Sequence, residues 1–295
     1  MLSWALYAFG AAFFWSLNIL FDKYVVDHEI KDYILTTVLC SISTFVVIGA
    51  FSDLMGGRVT GIGLIHVSLG FLYTLALMAY YSGISREDVS RFAPTLAVDT
   101  LFITFFSFLF LGERFSLPVY GGVLSLVAGA FLISLDDPVH SLKKFQSKNG
   151  VILAVIAALI FASRDIIFKF SLANSSYWTA LLGMSIGGLL STLFLIVYRR
   201  RKMINSNKKG MEHLLIIGVT TALGYICFAL SINIGPVSLA SAIVKSQNLI
   251  IFAAAIALQK LHPGVVDEKT SKKILAQKSI AITMIVAGLL LVQLY

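Results

Sequence analysis

Four ionisable side chains lie inside long apolar stretches of the chain, namely Asp99, Arg164, Asp165 and Lys245. Charged groups are rarely left in apolar surroundings unless they face a polar cavity or an oppositely charged partner. One interpretation is a binding site, in which Arg164 or Lys245 attracts an anionic group of a ligand while Asp99 balances charge or carries a proton. The other is a set of internal ion pairs that only stabilise the structure.

The ion-pair interpretation predicts particular partners. Asp99 with Lys245 is one candidate pair, and Asp165 with Lys169 is favoured because the two stand at helical i,i+4 spacing. Lys23 and Lys169 each end an apolar run. A lysine there often extends its ammonium to the polar edge of the apolar layer, so anchoring competes with a gating role.

Uncharged polar residues add two candidate surfaces. Trp15 and Asn18 stand three apart and share a helix face. That face fits either a stacking and hydrogen-bonding wall for a ligand or helix packing through the amide. Ser241, Lys245 and Asn248 form a polar stripe at i, i+4 and i+7, which favours a face turned to a cavity.

Proline and small residues indicate how the helices pack. Pro94 removes one backbone hydrogen bond and predicts a kink near the start of its helix. Small residues at helical spacing predict close helix packing rather than ligand contact. They are Gly183 and Gly187 in one run, and Gly121, Ser125 and Gly129 in another.

The sequence lacks the motifs of several enzyme classes. It has no P-loop, no H-E-x-x-H and no G-x-S-x-G, and its five histidines are scattered. Cys40 and Cys227 lie far apart inside apolar runs, which favours small buried side chains over redox chemistry or metal binding. We therefore expect no catalytic activity, no cofactor and no metal site.

Composition places these residues in a membrane protein. Of the 295 residues, 58% are apolar and 13% are charged, against roughly 25% charged in soluble domains. Ten apolar stretches approach the roughly 20 residues that a transmembrane helix needs. Continuous runs favour helices over a barrel, and the expected spans are residues 3–21, 33–51, 62–83, 92–111, 117–135, 150–170, 177–198, 212–232, 238–258 and 277–294.

The net charge of +8 comes largely from loops, including residues 199–202 and 269–278, which argues against nucleic-acid binding. Loops after odd-numbered spans carry about 18 of the 23 Lys and Arg residues, whereas the other loops carry Arg58, Arg114 and Lys169. The positive-inside rule places the basic side in the cytoplasm and both termini outside.

The chain contains an internal repeat. Residues 11–23, AAFFWSLNILFDK, align without gaps on residues 157–169, AALIFASRDIIFK, and VAGAFLI at Val127 resembles VAGLLLV at Val286. A polar insert around residues 264–273 accounts for the longer second offset. The repeat predicts five spans in residues 1–136, a connecting loop in 137–149 and five spans in 150–295. Five is odd, so the halves are inverted, as in many secondary transporters.

Several motifs resemble the drug/metabolite transporter superfamily, specifically its EamA-type ten-helix permeases. Trp15, Asn18 and Lys23 match the family's first-helix signature, although Ser16 stands where glycine is usual. The fourth span has a proline followed by a Gly-Glu-Arg ending, and the fifth is glycine-rich. The residues concerned are Pro94, Gly112, Glu113, Arg114, Gly121, Gly122 and Gly129. In the second half Lys260 stands near the expected Glu, and no proline corresponds to Pro94.

The resemblance implies a central cavity lined mainly by helices 1, 3, 4, 6, 8 and 9. Helices 5 and 10 are then peripheral. It also implies cytoplasmic termini, which opposes the charge count.

The repeat and the intramembrane charges together favour a secondary transporter in the cell membrane. We expect it to move a small metabolite, such as an amino acid or a related organic solute, by alternating access. A flippase for a lipid-linked head group is the close alternative, and a polytopic enzyme acting on lipid is a more distant one. Expected partners are the solute and the lipid bilayer, with a homodimer left open.

Overall fold

The computed structural model describes residues 3–87, 89–134, 148–199, 208–253 and 272–292, and these ranges are helices joined by short turns. The predicted all-α class is confirmed. Lys260 and the insert at 264–273 lie outside the described residues, as does most of the predicted connecting loop. The helices are α1 Ser3–His28, α2 Tyr33–Leu54, α3 Leu64–Ile84, α4 Val89–Leu96 and Asp99–Phe106, α5 Leu117–Ser134, α6 Lys148–Ser171, α7 Tyr177–Tyr198, α8 Lys208–Ile234, α9 Val237–Val244 and 247–253, and α10 Lys272–Val292.

Helices α1, α2, α3, α6, α7 and α8 are the 6 described helices long and apolar enough to cross a membrane by length and composition. The other described apolar stretches are 10–17 residues long, namely Asp99–Leu111, Leu117–Ile133, Val237–Ala253 and Ala276–Val292. Apolar side chains on the lipid-facing surface of a membrane protein need no polar partners. Many large apolar side chains accordingly lie exposed on the outside of the bundle. The protein is therefore a multi-pass membrane protein.

Two helices predicted to be continuous are interrupted. In α4, residues 97 and 98 form a turn, with the Val98 amide donating to the Thr95 carbonyl at 3.2 Å. In α9 the turn lies at residues 245 and 246, and the Ser246 amide donates to the Ile243 carbonyl at 2.9 Å. Pro94 lies in the first segment of α4, shortly before its break. The break in α9 has no such proline, so proline alone does not explain these interruptions.

Packing joins the first half of the chain to the second. Helix α1 packs on α8 while α6 packs on α3, and α2 and α5 pack on α7 and α10. Every one of these pairs takes one member from each half. The core thus depends on contact between the halves, and the space between them is where a cavity can form.

Small residues allow these helices to approach closely, as predicted. A β-carbon on Gly187 would lie 1.9 Å from the Val67 carbonyl oxygen on α3. On α5 the predicted face is corrected by one position, because Gly122 rather than Gly121 meets α10. Gly121 has no atom within 4 Å of where its β-carbon would stand. Ser125 supports the same contact by donating to the Met284 carbonyl at 2.7 Å.

We predict that Gly187→Ala lowers the free energy of unfolding by about 1–3 kcal/mol, because the added methyl group forces α3 and α7 apart. The measurement is thermal unfolding of the detergent-purified protein. Gly121→Ala is the matched control and should leave stability unchanged, since its methyl group meets no atom. Equal melting temperatures for the two variants would contradict the described packing.

Candidate functional site

A cavity of about 140 Å³ lies in the middle of the bundle. Helices α1, α3, α4, α6, α8 and α9 line it, and these are the six that the resemblance implies. Its wall carries both polar and aromatic side chains. The lining residues are Trp15, Asn18, Ile19, Asp22, Tyr73, Leu77, Tyr80, Tyr81, Leu96, Asp99, Phe161, Arg164, Asp165, Thr221, Phe228, Ser241, Val244, Lys245 and Gln247.

Arg164 is buried on α6 and pairs with its neighbour Asp165. Its Nε and Nη2 atoms both donate to Asp165 Oδ1, at 2.8 and 2.6 Å. The guanidinium carbon also lies 4.6 to 4.9 Å from the ring centroids of Tyr73, Phe161 and Tyr225. Aromatic faces attract a guanidinium strongly where water is excluded. The cation is therefore compensated by one carboxylate and three rings.

The predicted pair of Asp165 with Lys169 is wrong. Asp165 binds Arg164, and the Lys169 ammonium instead donates to the carbonyl oxygens of Ile232 and Gly235, at 2.5 and 3.1 Å. These carbonyls lie at the end of α8, where the last turn leaves acceptors without helical partners. The helical spacing allowed the ion pair, but the nearby carbonyls of another helix supplied more bonds.

Lys23 makes the equivalent contact in the first half. Its ammonium donates to the carbonyl oxygens of Ile84 and Glu87, at 3.0 and 3.1 Å, where α3 ends. It also pairs with Asp27 at 3.0 Å. Each repeat-related lysine thus binds the carbonyl end of the helix two further along its own half. Neither lysine lines the cavity.

Asp99 and Lys245 form the second ion pair of the cavity, with 2.6 Å between Oδ1 and Nζ. Both side chains are mostly buried, at 17% and 7% exposure. Beside them the hydroxyl groups of Thr100 and Ser241 share a hydrogen bond of 2.8 Å. The breaks in α4 and α9 therefore meet at the cavity wall, where an ion pair joins them.

Trp15 and Asn18 line the cavity and also bind α8. The Asn18 amide donates to the Thr221 hydroxyl at 2.9 Å and accepts from Thr220. The Trp15 indole N–H points at the Thr221 carbonyl oxygen at 3.4 Å. This face of α1 therefore both lines the cavity and packs against α8.

Only two of the three residues in the predicted polar stripe on α9 line the cavity. Ser241 and Lys245 line the cavity, but the Asn248 amide donates to the Ala130 carbonyl on α5 at 3.2 Å. The break at residues 245 and 246 changes the helical register, so a residue three further on no longer shares the face. Gln247 lines the cavity instead.

Asp22, Tyr80 and Tyr81 are cavity residues that sequence reasoning missed. Asp22 is 4% exposed and accepts hydrogen bonds from both tyrosine hydroxyl groups at 2.9 Å. The available signal was its position seven residues after Trp15, which places it on the same face of α1. Because Lys23 follows it directly, Asp22 resembles one of the polar residues that commonly end a transmembrane span.

Glu113, which belongs to the Gly-Glu-Arg motif, binds the start of α9. Its carboxylate accepts from the Val237 amide at 2.7 Å and from the amide and hydroxyl of Ser238 at 3.2 and 2.5 Å. A carboxylate at a helix N-terminus satisfies amides that lack helical partners and opposes the positive end of the helix dipole. The motif thus links the connection between α4 and α5 in one half to α9 in the other.

Within the described ranges, no group of three His, Cys, Asp or Glu side chains could hold a metal ion. The cavity instead combines two ion pairs, aromatic rings and an additional carboxylate between two sets of membrane helices. A chamber of this kind between two sets of membrane helices is typical of membrane transport proteins.

Comparison with known proteins names the family. The profile of the EamA-like transporter family matches residues 2–135 and, separately, residues 148–294. The chain therefore belongs to the EamA-like transporter family.

Individual relatives agree with this membership. "Uncharacterized transporter in cobO 3'region" from Sinorhizobium sp is 28% identical over 139 residues, which are 45% of this chain and 97% of that protein. "Solute carrier family 35 member F3" from Homo sapiens is 26% identical over 127 residues, covering 43% of this chain and 29% of the human one. A solved structure described only as "Crystal structure of protein" superposes with a TM-score of 0.73 at 16% identity, covering 99% of this chain and 97% of that chain. It shows the same fold.

We predict that Asp99→Asn lowers the free energy of unfolding by about 3–5 kcal/mol, because Lys245 is left charged in an apolar interior. The double variant Asp99→Asn, Lys245→Met should recover most of that loss, since both charges are then gone. Thermal unfolding of the purified protein measures both changes.

The matched control is Asp27→Asn, which removes a carboxylate whose side chain is 40% exposed. It should change stability by less than about 0.5 kcal/mol. If the double variant loses as much stability as the single variants Asp99→Asn and Lys245→Met lose together, the pair contributes nothing to the fold.

Proposed function

We propose that this protein is a secondary transporter that moves a small organic solute, such as an amino acid or a related metabolite, by alternating access. The observation that carries the proposal is the polar cavity enclosed between the two halves of an otherwise apolar bundle. In alternating access the halves rock about a central site and open it to one side at a time. The ion pairs of the cavity lie where such motion would expose them.

The proposal includes ten crossings arranged as two inverted repeats. Three observations support it. The family profile matches each half separately, and the Sinorhizobium relative is almost wholly covered by less than half of this chain. Asp99 and Lys245 are separated by the same number of residues as Lys23 and Lys169, so equivalent positions of the halves carry this ion pair, and each helix break lies within two residues of it.

Contacts between the halves join helix ends at one end of the bundle. Glu113, in the connection between α4 and α5, accepts hydrogen bonds from the start of α9, and the Ser231 hydroxyl on α8 donates to the Trp4 carbonyl on α1 at 2.7 Å. Trp4 also packs against Gly235, where a β-carbon would lie 2.6 Å from the indole ring. In the transport cycle we expect these contacts to separate when the cavity opens at this end.

We predict that Arg164→Ala and Lys245→Ala abolish uptake into liposomes while the protein stays folded and monodisperse. Each substitution removes one member of a cavity ion pair and leaves a carboxylate uncompensated. Uptake of candidate metabolites is measured under imposed ion and solute gradients. Arg58→Ala, at an exposed loop residue, is the control and should transport normally. Normal kinetics in both cavity variants would remove these residues from the site.

For orientation, we propose that the basic loops face the cytoplasm and the termini face outside, as the charge distribution favours. In a protein lacking its native cysteines, Arg58→Cys should react with a membrane-impermeant maleimide in intact cells. Lys208→Cys, at the opposite end of the bundle, should react only after the cells are permeabilised. The reverse labelling would support the cytoplasmic termini that the resemblance implies.

A further inference from the structure

The charges of the cavity do not balance. Arg164 is paired with Asp165, and Lys245 is paired with Asp99. Asp22 is a third carboxylate on the same wall, and no described cation forms an ion pair with it. With its carboxylates ionised, the described lining therefore carries one more negative than positive charge.

The carboxylate of Asp22 is held in position by two hydrogen bonds, which occupy about half of its acceptor positions. The Tyr80 hydroxyl donates to Oδ2 and the Tyr81 hydroxyl donates to Oδ1, both at 2.9 Å. A carboxylate has about four acceptor positions, so roughly two remain. Because Asp22 lines the cavity, a ligand inside it can reach them. Two neutral hydroxyl groups do not cancel the charge of a carboxylate in an apolar bundle.

The repeat shows that this carboxylate is not a general packing feature. The position equivalent to Asp22 in the second half is Phe168, which is fully buried. Lys23 and Lys169, the next residues, are the same in both halves and bind equivalent carbonyls. Both halves therefore use the lysine in the same way, whereas one half alone has the acid.

The cationic side chains offer little to an anion. Arg164 lies among three aromatic rings and bonds Asp165 through two of its nitrogens. Lys245 Nζ lies 2.6 Å from Asp99. An anionic ligand would have to break one of these pairs, whereas a cationic ligand adds the charge that the cavity lacks.

The walls near Asp22 suit an organic cation rather than a bare metal ion. Trp15 and Phe228 stand side by side with ring centroids 5.6 Å apart, and both line the cavity. Trp15, Asn18 and Asp22 follow one face of α1. Aromatic faces bind alkylammonium groups and cover the apolar part of such a ligand.

We propose that the cavity binds an organic ammonium ion, with its charged nitrogen at Asp22 and its apolar body against Trp15 and Phe228. The proposal rests on the transport function above and names its substrate class. Asp22 is then the residue that selects for positive charge. Tyr80 and Tyr81 position its carboxylate and are not themselves the selective groups.

The test uses three probes of nearly equal shape: 2-phenylethylamine as the cation, 2-phenylethanol as the neutral analogue and phenylacetate as the anion. Binding to the full-length protein in lipid nanodiscs is measured by quenching of tryptophan fluorescence and by calorimetry at neutral pH. We expect the cation to bind at least tenfold more tightly than either analogue. Equal affinities, or tighter binding of phenylacetate, would overturn the proposal.

Variants locate the charge that is recognised. Asp22→Asn keeps the shape of the side chain and should weaken binding of the cation about tenfold or more, while binding of the neutral probe stays the same. The matched control is Asp53→Asn, at an exposed residue near the end of α2, which should bind like the unaltered protein. If Asp22→Asn does not fold, the comparison of the three probes on the unaltered protein still decides the proposal.

Transport measurements separate this proposal from the general one. If liposomes take up anionic but not cationic solutes, the protein is a transporter and the assignment to ammonium ions is wrong. If no solute of any charge moves under any gradient, transport itself is wrong. Uptake of cationic solutes that Asp22→Asn abolishes and Asp53→Asn preserves supports both.

Discussion

Charge in an apolar bundle must be compensated within the bundle, and much of this structure follows from that constraint. Water and lipid head groups stabilise ions at the membrane edges, but the central cavity offers neither in abundance. Arg164 accordingly takes a carboxylate and three aromatic rings, and Lys245 takes Asp99 from the opposite half. Asp22 is only partly satisfied, and it is the residue whose remaining capacity points to a ligand.

The same constraint acts on the backbone. Where α3 and α8 end, carbonyl groups lack helical partners, and Lys23 and Lys169 supply the missing donors. Where α9 begins, Glu113 accepts from its free amides. These contacts bring together helices that are distant in sequence.

Similarity and difference between the halves have separate consequences. Shared features, such as the terminal lysines and the breaks in α4 and α9, form the frame around the cavity. Some cavity residues occur in one half only and give the cavity its chemical character. Asp22 has Phe168 at the equivalent position of the second half, and Arg164 has Asn18 at the equivalent position of the first. A symmetric frame suits a cycle with two equivalent open states, whereas specificity needs residues that are not repeated.

The sequence by itself indicated the membrane class, the helical fold, the family and four of the five charged residues that line the cavity. These follow from apolar run length and from residue type, which are local properties. Only the tertiary structure decided which groups meet. Asp165 turned to Arg164 because Lys169 found carbonyls on another helix, and Asn248 left the stripe because α9 breaks before it. Asp22 lies on the face of α1 that its spacing from Trp15 indicates, but its contact with two tyrosines of α3 is a contact between helices that no spacing along the chain encodes.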